Sequence, residues 1–185
     1  MGDPKKLRKK YVPVRHPWQG PRIIAEKKLV KEYGLKNKTE IYKARSFLRT
    51  FAKQAKKFAS FNTEQGDKEK KQLMNRLERL GLLSSNSSLD QVLALTIEHI
   101  LGRRLQTLVY KKGLTKTISQ SRQFITHGHV SIKGQKVSIP GYIVNSSEEN
   151  EIEFVKDSSL SSLDHPERKP KEKIELKKEV NENVE

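Results

Sequence analysis

Apolar side chains recur at helical steps along most of this chain. Ile41, Ala44, Leu48, Phe51, Ala55 and Phe58 alternate steps of three and four, which puts them on one face of a helix that Asn37 or Thr39 can cap. Upstream, a shorter helix is expected from about residue 23 to residue 33, closed by Gly34, because glycine takes up the left-handed conformation that ends helices. A polar break over residues 62–68 precedes Leu73, Leu77 and Leu80, whose helix stops at Gly81. After a serine-rich linker at residues 84–88, Ser88 caps a helix from Leu89, and Thr96 starts one expected to run through Leu101, Leu105, Leu108 and Val109 to Gly113.

Beyond Gly113 the period shortens. A last helix, capped by Thr117 or Ser119, carries Ser121, Phe124 and Ile125 and ends at Gly128. Val130, Ile132, Val137, Ile139, Ile143 and Val144 then alternate as strands do, with Gly134 in the first turn and Pro140-Gly141 interrupting the second strand; Ile152 and Phe154 add another. The expected fold class is α+β: a helical N-terminal subdomain followed by a small module of two helices packed on three or four short antiparallel strands. No internal repeat of a solenoid period is visible.

Charge changes the picture more than composition does. Of 185 residues, 34% are hydrophobic and 32% charged, enough for one or two small cores and wide solvated or partner-covered surfaces. No apolar run approaches the roughly 18 residues of a membrane helix, the basic start lacks a signal-like stretch, and there is no cysteine, so a cytoplasmic protein is expected. Lys and Arg number 38 against 22 Asp and Glu, a net charge of +16. Residues 1–80 hold 23 basic and 8 acidic side chains, residues 81–147 hold 8 and 2, and residues 148–185 hold 7 and 12. So positive a body calls for a polyanion, with nucleic acid the leading candidate.

The organisation that follows is an extended basic arm over residues 1–22, a helical subdomain over 23–102, a module over 103–157 and a charged tail over 158–185. The arm contains Pro4, Pro13, Pro17 and Pro21 and is expected to be disordered when free and laid along a partner when bound, with Trp18 anchoring it by packing. The tail, where Lys and Glu alternate, is expected to be disordered. On the long helix, Arg45, Arg49, Lys53 and Lys56 form a stripe about 100° round the axis from the apolar face. A solvated lysine face is one reading, nucleic-acid contact another; a membrane-surface helix fits less well, because alanines keep the apolar face small.

The run Arg103-Arg104-Leu105-Gln106-Thr107, then Lys112-Gly113-Leu114, Arg122-Gln123, Ile125, His127-Gly128-His129-Val130, Ile132, Gly134, Pro140, Tyr142 and Val144, resembles the RNA-binding S-four domain. Outside it, His16-Pro17-Trp18, the stretch from Tyr33 to Glu40, Arg76-Leu77, Gly81-Leu82-Leu83 and Leu89-Asp90-Gln91-Val92-Leu93 resemble the archaeal and eukaryotic form of the small-subunit ribosomal protein S-four family. The resemblance covers residues 13–157, and His165-Pro166-Glu167-Arg168 is more similar to the archaeal branch. It implies a structural protein, not an enzyme, that binds small-subunit ribosomal RNA early in assembly, grips a junction of RNA helices and helps form the region where mRNA enters, beside proteins of the S-three and S-five families. The sequence departs from the family pattern at Gly102, Ser121 and Phe124, and Gly102 costs about 1 kcal/mol of helix stability relative to Ala, so a bend is expected there.

Duplex RNA is read through its shape, phosphates and 2′-hydroxyls, which asks for cations and short polar donors on rigid helices. Arg103, Arg104, Lys111 and Lys112 supply cations around the module's first helix, with Gln106 among them; Lys116, Thr117, Ser119, Gln120, Arg122 and Gln123 crowd the start of its second. Thr117 is also a natural cap. His127, His129 and Lys133 extend the expected RNA face, and the Arg45, Arg49, Lys53 and Lys56 stripe completes it. The His-x-His pair lacks the further ligands of a metal site, and no phosphate loop, nucleophile elbow or acid pair is present, so no metal, cofactor or small-molecule substrate is expected. The competing readings are an S-four-type RNA-binding or RNA-modifying factor outside the ribosome and a nonspecific DNA-compacting protein, which needs the charge but not the module.

Overall fold

The first helix, α1 (Gly20–Glu32), begins ahead of the expected residue 23 because Pro21, with its φ already helical, opens it. These observations come from a computed structural model, which describes residues 2, 9–60, 63–84, 87–162, 165 and 167. The expectation of a disordered tail lies, for residues 168–185, outside the described residues. Residues 9–12 are not free: they lie against the second helix, where the Val12 amide donates to Ser46 Oγ at 2.8 Å and Tyr11 packs 6.1 Å from the Tyr42 ring.

Helix α2 (Lys38–Ala59) carries the apolar face read from the sequence, with Ile41, Ala44, Phe51 and Ala55 buried. Its first turn is tied to α1 through Glu26, a buried carboxylate with Arg22 Nε at 3.2 Å and Lys38 Nζ at 3.5 Å. Helix α3 (Glu64–Arg79) starts inside the stretch expected to be a polar break, because Thr63 Oγ1 accepts from the Gly66 amide and Glu64 and Asp67 complement the positive end of the helix dipole. Phe51, Ala55, Leu73, Leu77, Val92 and Leu95 make the core of this half, closed by α4 (Leu89–Ala94).

The single helix expected from Thr96 to Gly113 is two. Helix α5 (Ile97–Gly102) ends, Arg103 and Arg104 leave the helical conformation, and α6 (Leu105–Lys111) begins. The cause is tertiary: Arg104 pairs with Ile143 as an isolated β-bridge, the Leu105 amide donates to the Tyr142 carbonyl at 2.8 Å and the Val144 amide to that of Arg103 at 3.1 Å. The chain therefore breaks for two residues after Gly102 instead of bending at it.

Helix α7 (Ile118–Thr126) is followed by β1 (Val130–Ile132), β2 (Gln135–Lys136) and β3 (Ile152–Phe154), in the order β2-β1-β3, all antiparallel. Lys133 and Gly134, both with positive φ, form the two-residue turn between β1 and β2. The strand pattern read at Ile139, Ile143 and Val144 forms no strand in this sheet. Around Pro140 the chain leaves it to bond Arg103–Leu105, and Tyr142 and Asn145 then converge on Glu148 within the 3-10 turn Ser146–Glu151. The mixed helical architecture with a small antiparallel sheet is α+β, as read from the sequence.

Leu105, Val109, Phe124, Ile125, Val130 and Ile152 dominate the module core, which Leu160 joins from beyond the expected boundary at 157, held by Ser158 Oγ accepting from the Leu160 amide. The departure Ser121 is buried with its hydroxyl 2.5 Å from Thr115 Oγ1, and Phe124 meets Phe154 edge to face, so both substitutions are accommodated. A third cluster in the helical half, Leu35, Ile41, Ala44, Ile100 and Leu101, meets the module through Ile143 packed against it. No helix among the described residues is long and apolar enough to cross a membrane.

At this joint Gly34 has φ +55°, and a Cβ on it would lie 2.8 Å from Ile118 Cγ2 and 2.9 Å from Gln106 Nε2. Gly34→Ala is expected to lose about 1–2 kcal/mol in urea unfolding, from the left-handed backbone plus the displaced module; an unchanged midpoint would show that the joint gives way freely.

Candidate nucleic-acid interface

The cations expected to face RNA separate into two groups. One group is turned inward. Arg104, with 7% of its side chain exposed, donates from Nη2 to Glu40 Oε2 at 2.7 Å, and Arg122, 24% exposed, donates to Glu40 Oε1 at 2.6 Å. Gln106 is buried and its amide donates to the carbonyls of Gly34 and Ile118, both at 3.0 Å. Arg103 pairs with Glu149 at 2.5 Å and donates to the Val144 carbonyl at 3.1 Å. Four residues expected to offer donors to phosphate thus make internal pairs in this structure, which tie the module to the helical half and fix its own loop.

Glu40 is the centre of that joint. Burial pushes its pKa up, but hydrogen bonds from Arg122 and Arg104 and their two positive charges outweigh the burial, so the carboxyl titrates below its ordinary range. Sequence reasoning gave it no role. The only local signal was its isolation, since no further acidic side chain occurs until Glu64.

Other expected contacts are also used internally. Thr117 Oγ1 accepts from the Gln120 amide as the α7 cap, Gln120 Oε1 accepts from the Lys116 amide, and His129 Nδ1 lies 2.8 Å from Ser158 Oγ. The His127 and His129 rings stand 6.2 Å apart, edge to face. Lys133 sits in the hairpin turn 4.0 Å from Glu151.

The second group faces solvent. On α2, Arg49, Lys53 and Lys56 are exposed and Arg45 is half-buried. In the module, Lys111, Lys112, Ser119, Gln123 and His127 are exposed. Arg49 and Lys53 of the α2 stripe line one cleft, which shares Lys10, Ser46 and Thr50 with a second, adjacent one. One, of about 410 Å³, lies between the arm and α2 and is lined by Lys9, Lys10, Arg49 and Lys53; the other, of about 620 Å³, runs from Lys10 and Lys43 to Pro140 and Ile143, with the Glu40 triad in its wall. Lys9 and Lys10 were missed in the sequence because their place beside α2 depends on the arm folding back, and Lys43 because it lies on α2 but off the stripe. The result is a cationic groove on a braced helix, a surface that can track a phosphate backbone.

Residues 103–150 match the S4 domain family. Over nearly its whole length the chain is similar to small ribosomal subunit protein uS4 of Methanococcus maripaludis strain C5, with 50% identity over 169 residues that make up 91% of this chain and 95% of the relative. The uS4 proteins of Methanococcus aeolicus and Methanococcus vannielii are 49% and 48% identical over the same share of this chain, covering 96% and 95% of their own lengths.

Proposed function

The chain belongs to the uS4 family of small ribosomal subunit proteins, and from that premise we propose that it binds small-subunit ribosomal RNA early in assembly, at a junction of RNA helices, through the α2 groove and the exposed edge of the module. It is a structural constituent of the small subunit, not an enzyme. The observation that carries the reading is near-full-length similarity, 91% of the chain at 50% identity, which includes the helical half as well as the S4 domain. In the assembled cytoplasmic particle it would stand near the region where mRNA enters, beside the S-three and S-five families.

The geometry supports the reading in a specific way. The Glu40 triad fixes the module against α2 and the Gln106 amide ties it to Gly34, so that cations on both halves are offered to RNA from one braced body. A junction of RNA helices presents phosphates along diverging paths, and a body with cations on two differently oriented elements suits it better than a single basic stripe does. Sedimentation of lysate from cells expressing this chain tests the proposal. The chain is expected to comigrate in equal amount with small subunits; a chain that stays in the free pool, or travels with DNA, would overturn it.

A further inference from the structure

Trp18 is the only tryptophan in the chain and is 90% exposed, so it does not anchor the arm by packing on the protein. The backbone on either side of it is nonetheless tied down. Arg22 Nη2 donates to the Pro17 carbonyl at 2.7 Å, the Ile23 amide donates to the Gln19 carbonyl at 3.0 Å, and Arg22 is itself pinned by the buried carboxylate of Glu26. Pro17 and Pro21 restrict the backbone on either side. An indole carried on a tied backbone spares binding the cost of ordering that backbone.

The surroundings identify the occupant. Between residues 9 and 31 the only acidic side chain is Glu26, which is buried, while Lys9, Lys10, Arg15, Lys27, Lys28 and Lys31 are exposed. The exposed Ile24 on α1 has Lys27 and Lys28 as its neighbours one turn on, so cations border the exposed apolar side chain there. An exposed aromatic on a segment rich in exposed cations, with its first exposed acid at Glu32 at the far end of α1, matches a nucleobase stacked on the ring while its flanking phosphates meet the lysines and arginines. We propose that Trp18 is a stacking platform for an unpaired nucleobase of the small-subunit ribosomal RNA; a base inside a duplex is excluded because its faces are already covered. The inference rests on the proposed rRNA binding and adds a defined contact to it.

Because Trp18 is the sole tryptophan, its emission reports on this one position. On binding protein-free small-subunit rRNA, emission is expected to fall by about half or more and acrylamide is expected to lose access to the indole, as for a stacked base. Trp18→Leu, which keeps an apolar side chain without the aromatic face, is expected to bind about tenfold more weakly, whereas Trp18→Phe stays within about threefold, and both keep the salt dependence of the wild type. If the wild type binds rRNA while its emission and acrylamide access are unchanged, or if Trp18→Leu binds as tightly, the platform is refuted and the rRNA reading stands. Shielding that appears only in the complete subunit refutes it in favour of a neighbouring protein as the cover. A wild type that does not bind rRNA removes both readings.

Discussion

Glu40→Gln is expected to lower folding stability by about 3 kcal/mol, because it strands two guanidinium groups that the protein has already taken from water. Removing one member of a buried ionic cluster leaves the remaining charge unpaired, and that penalty is larger than the net worth of the pair. Arg104 is the more exposed to the loss in energetic terms, since it is the more deeply buried and its Nη2 has Glu40 as its charged partner at 2.7 Å. The pH dependence follows from the lowered pKa. In the unfolded chain Glu40 protonates near its ordinary 4.5, in the folded protein only below it, so between those values the unfolded state holds more protons and stability falls as pH drops. The contribution is complete above about 4.5 and disappears as pH falls through the folded value. The stability gap between wild type and Glu40→Gln in urea unfolding is therefore expected to be flat near neutrality and to close in acid. A gap that persists unchanged in acid, or a variant as stable as wild type at neutral pH, would show that the triad is not the joint. Arg122→Gln is expected to destabilise as well, yet to leave the salt slope of rRNA binding intact, since it removes an internal partner and not a phosphate contact.

The same triad shows where sequence reading reaches its limit. The apolar face of α2 was legible because its period lies within one helix, and so was the cationic stripe beside it. The helix-ending roles of Gly34, Gly81, Gly113 and Gly128 were legible too, and all four have positive φ. What could not be read is which arginines keep their charge for a partner. Arg104 and Arg122 stand 64 and 82 residues from Glu40, and Arg103 stands 46 from Glu149, separations at which sequence carries no periodic signal. The break at Arg103-Arg104 has the same origin. Nothing local forbids a helix through Leu105, and only the bridge to Ile143 pulls the backbone into an extended conformation. Ile139, Ile143 and Val144 show the converse error: alternation promised a strand, but Pro140 and the demand of the Arg103–Leu105 backbone for partners took that segment out of the sheet.

With the module's arginines paired internally, the proposed phosphate path is the α2 stripe and the cleft beside it, and the triple replacement Arg49→Gln, Lys53→Gln and Lys56→Gln is expected to weaken rRNA binding by about 100-fold at physiological salt. The estimate treats each exposed cation as releasing about 0.7–0.9 counterion, so three lost contacts also lower the magnitude of the slope of log affinity against log salt by about two to three. Folding should be little affected, within about 0.5 kcal/mol, because all three side chains are exposed and none belongs to the Glu40 or Glu26 networks. The control is Lys70→Gln with Lys71→Gln on α3. Those lysines share their helix with Glu64, Asp67, Glu69 and Glu78, whereas no acid interrupts the chain between Glu40 and Glu64. A mixed-charge face repels phosphate nearly as much as it attracts it, so the control should change the slope by less than about one. If the α2 triple variant and the α3 control change affinity and slope equally, the stripe is a solvated lysine face and the groove is not the RNA path. If only the α2 variant responds, the arm that supplies Lys9 and Lys10 to the same cleft should add to the effect when those two are replaced, because they line it from the opposite side.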